Sequence, residues 1–321
     1  MKKKSFIKLF LLITLSLIFL LAFSSLSIAY EKEINSLSAT MTEKIVNAGK
    51  KLIAVVDFTD LQGNVTELVL GIGRWLIEKV FSFTASIYCY DLNESALRSL
   101  PKTVNACALR SDLTYEKYKS NFKNNDWILL AVPMNNFEDT LEKIIPVIKD
   151  GSLVVSLTSV QAKAFSLLKK NVPKTSVFLG CHSLFGDTVL SPIGQLVALT
   201  GYNHNLSQHR EFKKSLSDIG LITTELSADD HDQYMAVVQA LTHFCLLSFA
   251  DTLAKNELHP SELLKIRTPN FQFLYALASR VLKISTTTTG SIQAMEGASK
   301  IREKFLNTAH LLHENFQVAV T

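Results

Sequence analysis

Between residues 66 and 226, short continuous apolar runs alternate with stretches whose apolar residues recur every three or four positions. The runs at 66–70, 86–90, 127–132, 152–157, 176–179, 195–200 and 220–225 predict strands. The stretches at 137–148 and 208–216 predict helices between them. Continuous apolar runs, rather than strict alternation, belong to strands covered on both faces. Strand–helix alternation therefore predicts an α/β domain with a mainly parallel sheet over 66–226. From residue 227 to 321 the period is helical throughout. Ser227 to Asp230 resembles a capping box with Asp in place of Glu or Gln. Met235, Val238, Leu241, Cys245 and Phe249 then follow at helical spacing, Pro260 suits the first turn of a further helix, and the Ser285 to Gly290 run reads as a loop. Ile301, Phe305, Leu312 and Phe316 mark a last amphipathic helix.

The first 65 residues follow a different pattern. Lys2, Lys3 and Lys4 precede an apolar stretch at 9–22, and Ser27-Ile28-Ala29 has the small residues of a cleavage site. Residues 1–29 thus read as a signal peptide or signal anchor, with membrane contact expected through residues 5–29 only. In the extension over 30–65, Ile34, Leu37, Met41, Ile45 and Val46 lie at helical spacing, 51–58 reads as a strand and 60–64 as a turn. That strand is expected to add to the sheet edge or to lie beside it. The formal charge of +4 arises in the leader, whose four lysines face no acidic residue; the remainder holds 29 basic and 29 acidic residues. No basic face points to nucleic acid. Cys89, Cys107, Cys181 and Cys245 are far apart with no C-x-x-C pair, so neither a zinc site nor a redox motif is predicted.

Several positions carry candidate chemistry. Gly71 and Gly73, followed by Arg74, lie between the strand read at 66–70 and a helix opening near Arg74; glycines there let a backbone approach a pyrophosphate at a helix N-terminus. Asp91 ends the next strand, where a carboxylate suits ribose hydroxyls and disfavours a 2′-phosphate, favouring NAD over NADP. Val132 and Pro133 are either simply the end of a buried strand or, in a dinucleotide fold, the backbone beside the ribose and nicotinamide. Ser159, at another strand end, is either a helix N-cap or a partner of substrate or of a catalytic histidine. The run 177–179 reads as a strand ended by Gly180, which places His182 just past the carboxyl edge, where loops line a ligand crevice and a histidine can exchange protons. Gln239 and His243 share a helix face, as a core hydrogen-bonded pair or as a pocket lining. Arg280, in an apolar helix, is suited to a carboxylate ligand or to a structural ion pair.

Taken together, Gly71 to Trp75, Val132 to Met134, Leu157 to Val160, His182 to Gly186, His231 to Gln233, Met235, Gln239 to Phe244 and Ser279 to Leu282 resemble the prephenate/arogenate dehydrogenase family in order and spacing over about residues 70 to 318. The resemblance implies a Rossmann-type dinucleotide-binding domain followed by an all-helical dimerisation domain. It implies NAD as cofactor, a small-molecule substrate (prephenate or arogenate) and a homodimer. It further implies His182 as catalytic acid/base supported by Ser159, with Gln239, His243 and Arg280 on the substrate. Leu68 and Leu70 depart from the family's glycines, Ser183 from its usual proline, and Thr242 from an arginine found in some members. The family is cytoplasmic, whereas the leader points to a membrane-anchored or exported chain. The run from Lys51 to Leu68 resembles the N-terminal segment of curli-secretion and flagellar outer-membrane lipoproteins, which favours, as a rival reading, a non-catalytic envelope protein retaining the scaffold.

Overall fold

Among the described residues eight strands pair in one sheet: β1 (Lys51–Val56), β2 (Ala85–Asp91), β3 (Asn105–Ala108), β4 (Trp127–Leu130), β5 (Leu153–Ser156), β6 (Val177–Ser183), β7 (Leu196–Thr200) and β8 (Ile222–Leu226). Their spatial order is β3-β2-β1-β4-β5-β6-β7-β8, and every neighbouring pair is parallel except β6 with β7. The protein is seen in a computed structural model that describes residues 51–56, 71–81, 85–91, 97–100, 102, 105–108, 122–186, 189–255 and 259–320. The leader at 1–29, the helical pattern at 31–50, the turn at 60–64 and the strand read at 66–70 lie outside the described residues.

The helices follow from the apolar pattern. α1 (Gly71–Leu76) runs into a π-helical turn at Ile77–Phe81. α2 (Phe137–Ile144) buries Phe137, Thr140, Leu141 and Ile144, one stripe at i, i+3, i+4 and i+7. It is shorter than the predicted 137–148 because Pro146 lacks the N–H that would continue the ladder, and a 3₁₀ turn at Ile145–Val147 takes over. α3 (Gln161–Asn171) and α4 (Ser207–Asp218) complete the layers on the sheet. β4 shows how both faces are covered. Trp127 and Leu129 join a cluster with Trp75, Leu76 and Phe212, while Ile128 and Leu130 join another with Phe137, Leu141, Ile144, Ala164 and Leu168. Successive side chains of a strand point to opposite faces, so four consecutive buried residues serve two cores at once. Each such burial is worth about 1.5–3 kcal/mol.

Beyond β8 the chain is helical: α5 (Ala228–Met235), a π-helical segment (Ala236–Leu241), α6 (Thr242–Ala254), α7 (Pro260–Lys265), α8 (Pro269–Val281), α9 (Thr286–Gln293) and α10 (Ala298–Val320). Ser227 caps α5 as its sequence predicts: its Oγ accepts from the Asp230 N–H at 3.0 Å and donates to Asp230 Oδ2 at 2.7 Å. The run at 285–290 is a helix start rather than a loop, because Ser285 Oγ accepts from the Thr288 N–H and caps α9.

Three strand assignments are corrected. Lys51–Val56 is neither an edge strand nor an appendage; it pairs with β2 on one side and β4 on the other, so the sheet includes this segment and does not start at residue 66. β3 was not predicted; at four residues on the sheet's edge it leaves little periodic signal. Gly180 does not end its strand. β6 continues to Ser183, pairing with β5 through 177–180 and with β7 through 180–183. Glycine stands there for close approach: a Cβ at 180 would run into Gln161 Oε1 and Thr200 Oγ1. Those two side chains are hydrogen-bonded to each other at 2.9 Å. Gly180→Ala is therefore expected to lower unfolding stability by about 1–3 kcal/mol, as overpacking does; an unchanged denaturant midpoint would show that the pair can move aside.

Candidate active site

β5 ends at Ser156, which lies opposite Gly180. β6 runs three residues further, and its extension carries His182 past the carboxyl end of β5. His182 is therefore inside the strand and held by the β7 ladder, opposite Ala198, not on a loop. Its side chain is 4 % exposed. His182 Nδ1 lies 2.9 Å from His231 Nε2, and His231 Nδ1 lies 2.8 Å from Asp232 Oδ1. Asp232 in turn accepts from the first two N–H groups of α3: Gln161 N to Oδ1 at 2.9 Å and Ala162 N to Oδ2 at 3.0 Å. The helix that follows β5 is thus capped by a residue 71 positions away, and its own N-cap position, Val160, makes no side-chain cap bond. A carboxylate at a helix N-terminus is favoured by the aligned peptide dipoles and by the free N–H groups there.

The array is buried throughout: His231 and Asp232 are 0 % and 3 % exposed. Burial and the neighbouring His231 push the His182 imidazole down to about 3 from its ordinary 6.5, with Asp232 pulling weakly the other way. His182 is neutral at physiological pH. Burial drives the adjacent Cys181 thiol the other way, up to about 12, and its side chain faces the opposite core; it is inert rather than reactive.

A second group of polar side chains lies on the helices. Gln239 is within the π-helical segment and His243 one residue inside α6. Gln239 Oε1 and His243 Nδ1 are buried with no hydrogen-bond partner, so the two do not form the core pair that was one reading of their spacing. Burial and the positive charge of Arg280 both lower the His243 imidazole. Arg280, in α8, makes no ion pair among the described residues. An unpaired cation beside buried, unsatisfied polar atoms is a place where a polar or anionic ligand recovers the cost of their desolvation. His231 and His243 sit twelve residues apart on one continuous helical run, and the π-helical segment between them brings them closer than the about 18 Å of an uninterrupted α-helix.

The described residues also fit a dinucleotide. The strand order reverses direction between β1 and β4, the switch point at which such folds bind ligands. Asp91, fully buried, ends β2 beside it, and Val132 and Pro133 follow β4. The helix was expected to open near Arg74, but Gly71 and Gly73 already lie within α1 and not in a loop. The Arg74 guanidinium is bonded to Glu78 at 2.6 Å and to Ser99 at 2.8 Å.

Two family models match the chain: the nucleotide-binding domain of prephenate dehydrogenase over residues 82–206, and its dimerization domain over 227–317. The chain belongs to the prephenate dehydrogenase family. It is 25 % identical over 195 residues to a probable arogenate/prephenate dehydrogenase of Methanocaldococcus jannaschii, covering 60 % of this chain and 44 % of that protein. It is 26 % identical over 163 residues to the T-protein of Haemophilus influenzae, covering 51 % and 42 %. It thus spans less than half the length of these curated relatives. The crystal structure of prephenate dehydrogenase from A. aeolicus in complex with hydroxyphenyl propionate and NAD+ superposes with a TM-score of 0.61 at 19 % identity, covering 84 % of this chain and 93 % of that one, and so shares the fold.

Within this prephenate dehydrogenase fold the described residues group the site residues into two sets, one around His182 at the sheet edge and one formed by Gln239, His243 and Arg280 on the helices. Ser159 is partly buried in the turn between β5 and α3, yet no hydrogen bond joins it to His182 among the described residues, and it does not cap α3. The histidine bond and the cap fall to other residues, since His231 bonds His182 and Asp232 caps the helix, which leaves contact with a substrate as the role read for Ser159. The match of the nucleotide-binding model begins at residue 82, leaving β1 and the glycines of α1 outside it. His231, Asp232 and Gln161 were not predicted as site residues. The one available signal was the His-Asp pair in the first turns of a helix, which local pattern cannot connect to a strand 49 residues earlier.

The buried neutral His182 has a consequence for stability. Its folded value lies below its unfolded one, so the unfolded chain binds the extra proton in acid. The stabilisation it confers is complete above pH 6.5 and is lost as pH falls toward about 3. In urea titrations the unfolding free energy of the wild type should fall by about 1.4 kcal/mol per pH unit more steeply across that window than that of His182→Asn. Parallel pH profiles for the two proteins would contradict the assignment.

Proposed function

We propose that this chain is an NAD-dependent prephenate dehydrogenase, converting prephenate to 4-hydroxyphenylpyruvate by oxidative decarboxylation, with arogenate as the alternative substrate. The observation that carries the proposal is His182: a neutral, buried imidazole fixed through Nδ1 at the carboxyl edge of a dinucleotide-type sheet. NAD+, when bound, supplies the hydride acceptor. Asp91 would hold its adenosine ribose, and the backbone at Val132 and Pro133 would border its nicotinamide end. His182 accepts the hydroxyl proton as hydride leaves the same carbon, which makes that departure easier. Loss of carbon dioxide then supplies the electrons that aromatise the ring. Arg280, with Gln239 and His243, holds a substrate carboxylate, which satisfies polar atoms otherwise buried without partners.

The test is NADH formation by the full chain with prephenate and with arogenate, alongside NAD titration. His182→Asn should retain NAD binding and lose about 10²–10⁴ in kcat, the usual worth of a positioned acid/base. Arg280→Leu should raise KM for whichever substrate is used. A folded protein that binds no NAD would instead support the scaffold reading, which one observation favours: the family's nucleotide-binding match excludes β1 and the glycine-poor segment before α1.

A homodimer is part of the proposal. The run Ala228–Ala254 is long and apolar enough, by length and composition, to cross a membrane, with a mean hydropathy of 1.4 and 17 % of that window buried. Val238, Phe273, Leu277, Leu306 and Phe316 are exposed on the helical part of a single chain. Apolar exposure of this extent is characteristic of an interface, and the matched dimerization domain makes a second copy its natural cover. Light scattering should report a dimer at micromolar concentration, and Leu277→Glu should shift it toward monomer; a wild-type monomer would overturn this part.

A further inference from the structure

With His231 taken as neutral, the hydrogen bonds around His182 specify which of its nitrogens carries a proton. Asp232 receives two backbone N–H groups, so its carboxylate is the acceptor in the network. The His231 nitrogen that faces it, Nδ1, is therefore the donor, Nδ1–H to Oδ1. A neutral His231 with its proton on Nδ1 has a bare Nε2. The contact with His182 then requires the proton to sit on His182 Nδ1, donated to His231 Nε2 across 2.9 Å. His182 Nε2 is left as an acceptor, and no described residue bonds it.

We propose that His231 and Asp232 are positioning residues that act through His182: they fix it as the Nδ1–H tautomer, presenting a bare Nε2 to the substrate hydroxyl, and they take over its proton during the reaction. The proposal rests on His182 being the acid/base of the function proposed above. In the hydride step, the bond from the substrate hydroxyl oxygen to hydrogen breaks and a bond to His182 Nε2 forms. The proton on His182 Nδ1 passes to His231 Nε2. His182 ends neutral with its proton on Nε2, and the positive charge rests on His231 beside the Asp232 carboxylate. The hydride and its electron pair leave for the cofactor. Decarboxylation then returns an electron pair to the ring and places negative charge on the same oxygen. The proton travels back along the same path to that oxygen, giving the phenol, so no proton is released overall.

The decisive test begins with the wild-type full chain and needs no turnover. In protein labelled with ¹⁵N-histidine, long-range proton–nitrogen spectra distinguish a protonated ring nitrogen from a bare one, and the His182 signals are those missing in His182→Asn. His182 should show protonated Nδ1 and bare Nε2. A His182 protonated on Nε2, or an even mixture of tautomers, overturns the proposal. His231→Gln offers an amide oxygen to His182 Nδ1 but cannot carry the proton onward. It should keep the tautomer and lose part of kcat with KM little changed. His231→Leu offers no acceptor. It should lose the single tautomer and fall further in kcat, toward the 10²–10⁴-fold range of acid/base loss. A folded His231→Leu with wild-type kcat overturns the proposal. So does a His231→Gln no more active than His231→Leu, because the acceptor alone then does nothing. If the wild type shows the expected tautomer but oxidises neither prephenate nor arogenate, the functional reading fails and the assignment of His231 and Asp232 to the tautomer stands.

Discussion

The Asp232 carboxylate is bonded on three sides: by the Gln161 and Ala162 N–H groups at the start of α3, and by the His231 ring. These bonds tie the first turn of the helical region to the connection after β5, and through His231 they reach the end of β6. A buried carboxylate is costly unless its lone pairs are filled. Here the filling groups are ones the fold must satisfy in any case, since the first N–H groups of a helix have no partner within it. One side chain thus meets two obligations, and the geometry of His182 depends on both. Replacing it would expose the helix end and free the His231 ring together, which is why cap and histidine cannot be treated as independent features.

Gly180 shows the same economy on the other side of the site. Gln161 donates from Nε2 to the Thr158 carbonyl at 2.6 Å and accepts from Thr200 Oγ1 through Oε1. Its side chain therefore stitches the β5–α3 turn to β7 across the strand between them, through the space a Cβ at 180 would fill. The backbone of β6 is held at this point by three elements. The stagger that carries His182 past β5 follows from this, because β6 exchanges its parallel partner for an antiparallel one at the same glycine.

These relations also explain what the sequence could disclose. β4 and β5 were legible because four successive buried residues leave a continuous apolar run. α2 was legible because its stripe is periodic, and its early end is explained by Pro146. β1 was visible as a strand but misplaced, since its neighbours in the sheet are set by pairing over long range and not by local pattern. Gly180 was misread because a glycine that ends a strand and one that makes room for a neighbour look alike until the neighbour is seen. The Ser285 run was misread for a similar reason: hydroxyl residues favour both turns and caps. His182 was found from its position after an apolar run. Its partners were not, because a His-Asp pair on a helix carries no mark of the strand it will meet. The helical set of Gln239, His243 and Arg280 was legible as polar residues on apolar faces, and its buried unpaired atoms supply the physical reason to expect a ligand there.

A base this deeply buried presents a physical difficulty that the neighbouring pair resolves. Removing an imidazole from water lowers its affinity for a proton, because the cation loses its hydration. Holding the charge on His182 itself would therefore raise the barrier to the very transfer it serves. If the charge moves on to His231, it settles against a carboxylate already held by two N–H dipoles, and the pair has no net charge to desolvate. Burial then becomes an advantage. A neutral His182 does not repel the positive charge of an oxidised nicotinamide. In the proposed reaction its proton would be held only between hydride departure and aromatisation, when the product oxygen would become a strong base and recover it. The low proton affinity that makes His182 a weak base at rest would also, in that reaction, ensure that the proton is given back.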